Sequence, residues 1–401
     1  MKKMDLNAGT FRKRTLSPPP EVAKPTYGIV GPLERVDVRL RMFYRDRMAP
    51  NTPDYDSFYG DYPELETIDS QRKQARCKKL VERIGADPVN TRLSGATFYA
   101  VGALARPKLV DGALPPRSTY DIPGHEGRPN IDPRAMSQKV KALGLYLGAA
   151  KVRIAPANRD WAYTHYTLSP EEDLKKHKYI ICLAVPQDVD ILSEGLGNAQ
   201  GMEVGKKYAI SGLISNMLAY YIRSLGFYAR ALPPGNSPYL NIPTFVDAGI
   251  GEVGRCGFVV SKEFGNSFRA GGVATDMPLV VDRPVDFGLQ DFCSKCQICA
   301  TACPPGAISK EGKTIRRGIS SWHADTTLCR RYWDSIGSSC SICQIVCPWN
   351  HSNTWFHNII RQESEKAPYL RRLIISGEKL FYKNRLRPEP EWARTTAVKI
   401  D

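Results

Sequence analysis

Eight of the eleven cysteines in this 401-residue chain lie between positions 293 and 347, at spacings that suit iron–sulfur chemistry. The stretch from Asp291 to Lys310 carries four of them, as C-x2-C-x2-C-x3-C followed by proline. In such a run the first three thiolates hold one cubane cluster and the fourth reaches to another. The run therefore predicts a second cluster elsewhere in the chain.

The second group of cysteines lies downstream and has a displaced first member. Ten residues separate Cys329 from the series Cys340-x2-Cys343-x3-Cys347-Pro348. Two Cys-Pro ends predict that the clusters exchange their fourth ligands. One [4Fe–4S] cluster is therefore assigned to Cys293, Cys296, Cys299 and Cys347, and the other to Cys329, Cys340, Cys343 and Cys303.

Two other interpretations of the cysteines need weighing. Structural zinc also uses paired cysteines, but it does not require C-x2-C-x2-C with a trailing Cys-Pro. The three remaining cysteines stand alone in the sequence and are interpreted as small core residues: Cys77, Cys182 and Cys256.

The residues before the cysteines are too numerous for an electron carrier alone, so we expect them to hold a second redox centre. The pattern predicts an α+β protein in four parts. These are an N-terminal wrapping arm with short helices (1–90), an α/β catalytic domain (91–285), a ferredoxin-like domain with two clusters (286–356) and a C-terminal tail that packs on the core (357–401).

Two helix–strand units are predicted in the second part, within residues 136–155 and 210–232, each with glycine after the helix. In the second unit, apolar residues recur at helical spacing from Ile210 to Leu225. Tyr208 is placed at the N-terminal edge of this helix, about 140° from the centre of the apolar stripe. It is therefore not simply another core residue of that helix.

Composition and charge limit the classes of protein that fit. Hydrophobic residues make up 42% and charged residues 24%, which is ordinary for a globular protein. No apolar run is long enough to span a bilayer, and the N-terminus lacks the apolar region of a secretory signal. The net charge of +15 favours anionic partners, but the basic residues are scattered, which favours a positive surface over a nucleic-acid site.

The series Gly249-Ile-Gly251-Glu-Val-Gly254 matches the G-x-G-x-x-G pattern of dinucleotide-binding proteins. The preceding NIPTFVDA is a doubtful strand, and no suitable acidic residue follows. We therefore interpret the series as a tight loop that lets the backbone approach some other cofactor.

From this loop onward the chain resembles the corrinoid (cobalamin)-dependent iron–sulfur reductive dehalogenases. The resemblance rests on GNSPYLNIPTFVDAGIGEVGRCGFVVSKEFGNSFRAGGVATDMPL and PVDFGLQDFCSKCQICATACPPGAIS, and it extends from about Tyr208 to Trp349. It implies a nitroreductase-like cobalamin-binding α/β domain joined to a ferredoxin-like domain with two [4Fe–4S] clusters. Gly249, Gly251, Gly254 and Arg255 are the corresponding cofactor-binding residues.

The resemblance also implies three catalytic residues. Tyr208 of GKKYAISG corresponds to a tyrosine proton donor, Asn236 of PPGNSP to a substrate-site asparagine, and Arg269 of NSFRAGG to the basic residue beside the tyrosine. A cation next to a tyrosine stabilises its phenolate and makes it a better acid. Without the resemblance, these three would be packing, turn and salt-bridge residues.

The implied reaction replaces carbon–halogen by carbon–hydrogen, with a small organohalide as substrate and an external electron donor. The implied corrinoid is base-off, so the six histidines need no ligand role, and Asp121 and His125 do not have the D-x-H-x-x-G spacing of a cobalt-binding motif. A small membrane-anchor protein and a homodimer remain open as partners, and nucleic acid is not expected. The implied location is the outer face of the cytoplasmic membrane after leader removal, with the cytoplasm as the alternative.

Two other functions are weighed against this one. An epoxyqueuosine reductase, a tRNA-modifying enzyme, would share the corrinoid and clusters, but Lys207 stands where that family should have aspartate. A non-catalytic iron–sulfur electron carrier would bind no corrinoid.

Overall fold

The N-terminal part of the chain forms three helices and one short strand. The structure, a computed structural model, describes residues 16–86, 91–92, 95–97, 128–166, 171–193, 197–352 and 354–382. Its first elements are β1 (Gly28–Ile29), α1 (Met42–Arg45), α2 (Pro53–Asp61) and α3 (Pro63–Ala86). The expectation of short helices alone is wrong for α3, which runs for 24 residues.

Helix α3 has a weak apolar pattern because the side that it buries carries charges. Arg72 forms ion pairs with Asp46 and Asp69, and with Asp334 at 3.0 Å. Arg330 closes the ring through Asp46 at 3.1 Å and Asp334 at 3.4 Å. Buried charges are tolerated when they are paired in this way. The ring of Asp46, Arg72, Arg330 and Asp334 therefore fastens α3 to the cysteine-rich segment.

The central part of the chain folds around a four-stranded antiparallel sheet. Its elements are α4 (Pro133–Tyr146), β2 (Lys151–Pro156), α5 (Glu171–Lys176), β3 (Tyr179–Pro186), α6 (Val189–Ser193), α7 (Asn198–Ser224), β4 (Ala229–Leu232), α8 (Asn241–Asp247), β5 (Glu252–Val253), β6 (Val259–Val260) and β7 (Phe268–Thr275). The sheet order is β2–β3–β7–β4, and β5 pairs with β6. The two predicted helix–strand units are confirmed as α4–β2 and α7–β4.

The sheet buries an apolar cluster on each face. Ile181, Leu183 and Val273 pack under α7, with Ile214 and Leu218 of that helix. The opposite face packs against the loops around Trp161 and against α8. Helix α7 approaches β7 closely, since a Cβ atom at Gly271 would lie only 2.3 Å from Oγ of Ser211. Glycine at this position is therefore required by packing.

The remaining elements form the cysteine-rich segment and a C-terminal helical pair. They are α9 (Leu289–Cys296), α10 (Ile298–Ala302), β8 (Thr314–Arg316), β9 (Ile319–Ser321), α11 (Thr326–Ile336), α12 (Ile342–Ile345), α13 (Trp355–Lys366) and α14 (Arg371–Phe381). Strand β9 pairs with both β8 and β1, so the N-terminal part adds a strand to this segment. In the described part of the chain, no helix is long and apolar enough to cross a membrane.

The four predicted domain boundaries stay predictions. Residues 1–15 of the N-terminal arm and 383–401 of the C-terminal tail lie outside the described residues, as do Asp121 and His125.

The buried charge ring predicts a large effect of removing one carboxylate. Asp334→Ala leaves Arg72 and Arg330 short of a buried partner, so we expect the free energy of unfolding to fall by about 3–5 kcal/mol. Denaturant titration followed by circular dichroism measures this. The exposed pair Lys79–Glu82 on the same helix α3 gives the control, since Glu82→Ala should not change the unfolding midpoint. Equal midpoints for Asp334→Ala and the unsubstituted chain would contradict the ring's role.

A buried histidine under the sheet predicts a pH dependence of stability. His177 is 6% exposed; its Nδ1 lies 2.8 Å from the Tyr239 hydroxyl and its Nε2 lies 3.2 Å from that of Tyr228. Burial, followed by the charge of Arg230, lowers its pKa from 6.5 to about 4. The unfolded chain therefore takes up the proton first, so stability that is present above pH 6.5 is lost as the pH falls toward 4.

We expect this histidine to account for about 2 kcal/mol of the loss in unfolding free energy between pH 7 and pH 5. His177→Gln removes the titrating group, so the variant should lose that much less stability over the same range. Denaturant titrations at both pH values measure the difference. An unchanged pH slope in the variant would contradict the assignment.

Candidate functional site

The first cysteine run surrounds a cavity. Helices α9 and α10 are separated only by Gln297, whose φ of 56° lies in the left-handed region and turns the chain between Cys296 and Cys299. The cavity has an empty volume of about 360 Å³. Its lining includes all four thiols of one predicted set, Cys293, Cys296, Cys299 and Cys347, and apolar side chains of Val260, Phe292 and Trp349. These side chains fit a buried [4Fe–4S] cluster.

The second cysteine run repeats the same backbone turn. Ser341, directly after Cys340, has a φ of 55°, and α12 follows it as α10 follows Gln297. In the first run a cysteine precedes this C-x2-C by three residues, but here that position holds Gly337. Helix α11 supplies Cys329 in its place.

Electrostatic effects group the second set of thiols together. Burial is the largest cause that raises the pKa of Cys343, and the thiols of Cys340, Cys329 and Cys303 raise it further. Burial and then Cys303 likewise raise the pKa of Cys329. Bound iron would offset this cost of forming thiolates in a buried site. Cys256, which belongs to neither predicted set, raises the pKa of Cys343 as well. The division of the eight thiols between two clusters therefore stays a prediction.

Structural zinc requires four ligands in direct contact with one ion. Across the described residues, no three side chains of His, Cys, Asp or Glu are grouped closely enough to hold a single metal ion.

Arg255 and the glycine series contact the protein itself. Arg255 is 4% exposed and donates hydrogen bonds to the carbonyls of four residues in the cysteine-rich segment: Cys293, Ser294, Ser309 and Glu311. A Cβ atom at Gly249 would lie 2.2 Å from the carbonyl oxygen of Arg283, and one at Gly251 would lie 2.0 Å from that of Val260. At Gly254, a Cβ atom would lie 2.7 Å from Cγ2 of Val260.

Backbone packing thus accounts for these three glycines, and the loop follows helix α8 rather than a strand. The dinucleotide-binding interpretation is therefore excluded by the local fold, since it needs a strand before the glycines. The assignment of the four residues to cofactor binding stays a prediction, and their contacts in this structure are structural.

Tyr208 and Arg269 lie together on the helix-covered face of the sheet. The guanidinium carbon of Arg269, on β7, lies 4.8 Å from the centre of the Tyr208 ring. The sequence predicted Tyr208 at the N-terminal edge of this helix. This is wrong, because helix α7 already begins at Asn198 and Tyr208 lies within it. It packs against Leu192, Val204 and Ile345, apart from the main core of α7, as its helical phase predicted. Ile345 lies between Cys343 and Cys347, so this tyrosine borders the second cysteine run.

Asn236 has different neighbours. Its Oδ1 accepts a hydrogen bond of 2.6 Å from the hydroxyl of Tyr166 and one of 3.5 Å from Nη2 of Arg230. Among the described residues, no hydrogen bond links Asn236 to Tyr208 or Arg269. The structure therefore joins two of the three predicted catalytic residues, and the role of Asn236 stays a prediction.

A buried amide network joins the cysteine-rich segment to the strand that carries Arg269. Nδ2 of Asn350 donates to Oδ1 of Asn266 and to Oγ of Ser267, the latter at 2.8 Å. Oδ1 of Asn350 accepts from the amide of Asn266 at 2.8 Å, and Nε2 of Gln344 donates to the carbonyl of Asn266 at 3.0 Å. Residues 266 and 267 lead directly into β7, so the network fixes the start of that strand.

No role was assigned to Asn350 from the sequence. The interpretation of the three lone cysteines as small core residues is confirmed for Cys182 and Cys256, which are buried, and is wrong for Cys77, which is exposed. Asn350 follows the second Cys-Pro turn by two residues, and a polar residue there was the available signal. Cys256 is buried and lines the first cavity; its Sγ accepts a hydrogen bond of 3.2 Å from Nδ2 of Asn266. It also packs against thiols of both sets, Cys299, Cys303 and Cys343. The interpretation of Cys256 as a small core residue therefore leaves out its position between the two cysteine sets.

Comparison with known proteins supports the iron–sulfur interpretation of the cysteine-rich segment. The family model of the 4Fe-4S dicluster domain matches residues 292–351. A tetrachloroethene reductive dehalogenase of Dehalobacter restrictus is 34% identical over 276 residues, which cover 56% of this chain and 50% of that protein. An epoxyqueuosine reductase of Lactococcus garvieae is 34% identical over only 116 residues, 27% of this chain and 32% of that protein.

The fold agrees with the sequence comparison. The solved structure of a reductive dehalogenase, described with a mechanism for B12-dependent dehalogenation, matches with a TM-score of 0.70 and 26% identity, over 92% of this chain and 49% of that one. This chain thus spans about half the length of these reductive dehalogenases. By sequence and by fold, the chain is a relative of the reductive dehalogenases, with a 4Fe–4S dicluster domain at residues 292–351.

Proposed function

We propose that this protein is a reductive dehalogenase, which converts an organohalide, two electrons and one proton into the carbon–hydrogen product and a halide ion. The observation that carries the proposal is the Tyr208–Arg269 pair, which lies beside the cysteine run that ends at Cys347. A proton donor and an electron path thus meet at one place. The homologous reductive dehalogenases support the same reaction.

The eight thiols would hold the groups that supply electrons. Two [4Fe–4S] clusters would carry electrons one at a time from an external donor. The chain's contribution is to exclude water and fix the thiols: Trp349 and Phe292 wall the first cavity, and the guanidinium of Arg255 ties Cys293 to the loop at residues 309–311.

A bound corrinoid would supply the low-valent cobalt that reduces the carbon–halogen bond. The residues present fit such a polar cofactor, because Nε of Arg269 is buried and has no hydrogen-bond partner among the described residues. No histidine is required for a base-off corrinoid, and His177 is engaged by two tyrosine hydroxyls.

Tyr208 would protonate the carbon from its phenolic hydroxyl. The cation of Arg269 over the ring stabilises the phenolate left behind. Asn236, held by Tyr166, would orient the substrate. The proposed partners are an external electron donor, a small membrane-anchor protein and a second copy of the chain.

We place the enzyme at the outer face of the cytoplasmic membrane. The net charge of +15 supports this, since an anionic lipid surface attracts basic protein. Fractionation of the native cells tests it against a cytoplasmic location.

Halide release tests the proposed function. The full chain, with clusters reconstituted and cobalamin added, is supplied with reduced viologen and a panel of chlorinated and brominated aromatic and aliphatic compounds. Stoichiometric halide and dehalogenated product are expected from at least one compound. Queuosine formation from epoxyqueuosine-containing tRNA, without halide from any compound, would establish the alternative instead.

Within that assay, Tyr208→Phe removes the acid and keeps the ring under Arg269. We expect kcat to fall by about 10²–10⁴-fold because proton transfer loses its donor. Iron and corrinoid content should stay at the wild-type level. Tyr146→Phe, an exposed tyrosine at the end of α4, is the matched control. A wild-type kcat in Tyr208→Phe would remove Tyr208 from the mechanism.

Ligand exchange between the clusters predicts a selective loss of iron. Cys303 follows the first run but groups with the second set, so Cys303→Ala should perturb the second cluster and leave the first. Iron should fall from about eight toward about four atoms per chain. Cys182→Ala, in the sheet core, is the control and should keep all its iron. Full iron with unchanged electron paramagnetic resonance in Cys303→Ala would contradict the exchange.

A further inference from the structure

Gln187 is a buried amide that the fold leaves unsatisfied. It directly follows β3 and is 4% exposed. Neither Nε2 nor Oε1 of its side chain has a hydrogen-bond partner among the described residues. A buried amide without partners is costly, and such groups are rare in folded proteins. The position therefore calls for a physical reason.

The backbone around Gln187 is firmly held. Its amide donates a hydrogen bond of 2.8 Å to the carbonyl of Ser267, and the amide of Asp188 donates one of 2.7 Å to Oε1 of Glu203. The other two buried glutamines of the described residues each have at least one side-chain partner, although Nε2 of Gln200 has none. Oε1 of Gln200 accepts from Ser339 at 3.2 Å, and Nε2 of Gln344 donates to the carbonyl of Asn266.

The strand register places Gln187 beside the proposed acid. Val185 pairs with Arg269 across β3 and β7, and Gln187 follows two residues later, on the same face of the sheet. Arg269 packs over Tyr208 and has a buried Nε that also lacks a partner. Arg269 and the residue that follows β3 thus both carry unsatisfied polar atoms on the face of the sheet that α7 covers.

We propose that Gln187 binds the corrinoid, through hydrogen bonds between its carboxamide and a carboxamide side chain of the corrin ring. This rests on the proposed function. A carboxamide offers donors and an acceptor together, which is what both ends of Gln187 require. A small organohalide has a halogen and an apolar carbon skeleton and cannot supply both a donor and an acceptor. It would leave one end of the Gln187 amide without a hydrogen bond. The amide is therefore a specificity contact for the cofactor.

Gln187→Met keeps the length of the side chain and removes both polar atoms. The cluster-loaded, corrinoid-free full chain should become more stable, because an unsatisfied buried amide is replaced by an apolar group. The dissociation constant for cob(II)alamin, titrated by absorbance, should rise about tenfold, the equivalent of one or two lost hydrogen bonds. A purely structural residue would not shift these two quantities in opposite senses.

The control is Thr244→Val, which removes a satisfied bond of 2.8 Å from Oγ1 to the carbonyl of Leu240. It should lower stability and leave cobalamin affinity unchanged. Gln187→Leu provides a second apolar variant in case methionine packs poorly, and the same two shifts are expected.

The results separate this inference from the proposed function. Wild-type protein that binds one cobalamin per chain, with unchanged affinity in both Gln187 variants, overturns the inference and leaves the function intact. A raised KM for the organohalide at unchanged cobalamin affinity also overturns it and assigns Gln187 to the substrate. Wild-type protein that binds no cobalamin overturns the proposed function itself.

Discussion

The hydrogen bonds of Asn350 are the interaction on which the rest of the structure depends. They join the turn after Cys347 to Asn266 and Ser267, which lead into the strand of Arg269. The contact is close: a Cβ atom at Gly265 would lie 1.7 Å from Oδ1 of Asn350. Because each polar atom in the network has a partner, a shift of the cysteine loop would break several buried hydrogen bonds. The cysteine loop, which is the proposed electron path, and the strand that carries Arg269 are thereby held in one fixed relation.

Because of this fixed relation, Tyr208 contacts both the sheet and the cysteine-rich segment. Its ring lies under Arg269, a residue of the sheet, and against Ile345, a residue of the second cysteine run. The proposed reaction, reductive removal of a halide, requires electrons and a proton at the same carbon. Tyr208 lies between Arg269 and the cysteine-rich segment, so it would meet this requirement. Because the fold already fixes these side chains, little reorganisation would be needed during the proposed reaction.

The sequence predicted those features that depend on short spacings. Cysteine spacing is local, and it indicated the iron–sulfur segment that the 4Fe-4S dicluster family model matches at residues 292–351. The helix–strand units were also visible, since their periodicity lies within one segment. Helix α3 was misjudged because its buried side carries Asp69 and Arg72, whose partners lie in other parts of the chain. Hydrophobic patterns cannot reveal a helix that is held by charge.

The features that could not be predicted from the sequence all depend on contacts between residues that lie far apart along the chain. The glycines of the G-x-G-x-x-G series suggested a cofactor, yet the carbonyls of Arg283 and Val260 fill the space beside them. The bond from Tyr166 to Asn236 spans 70 positions, and that from Asn350 to Asn266 spans 84. No local pattern encodes such pairs, so the grouping of polar residues had to come from the fold.

The distribution of satisfied and unsatisfied polar atoms separates structural from functional residues. The charges of Asp46, Arg72, Arg330 and Asp334 are buried and paired with one another, and the amide of Asn350 uses its donor and its acceptor within the protein. These groups stabilise the fold through their contacts with one another. Gln187 is equally buried but has both ends free among the described residues. Within the described ranges, Nε of Arg330 and Nε2 of Gln200 also lack a partner, but each of these side chains pairs through another of its atoms. Gln187 has no partner in the described part of the chain at either end of its amide, and a ligand would complete both ends at once.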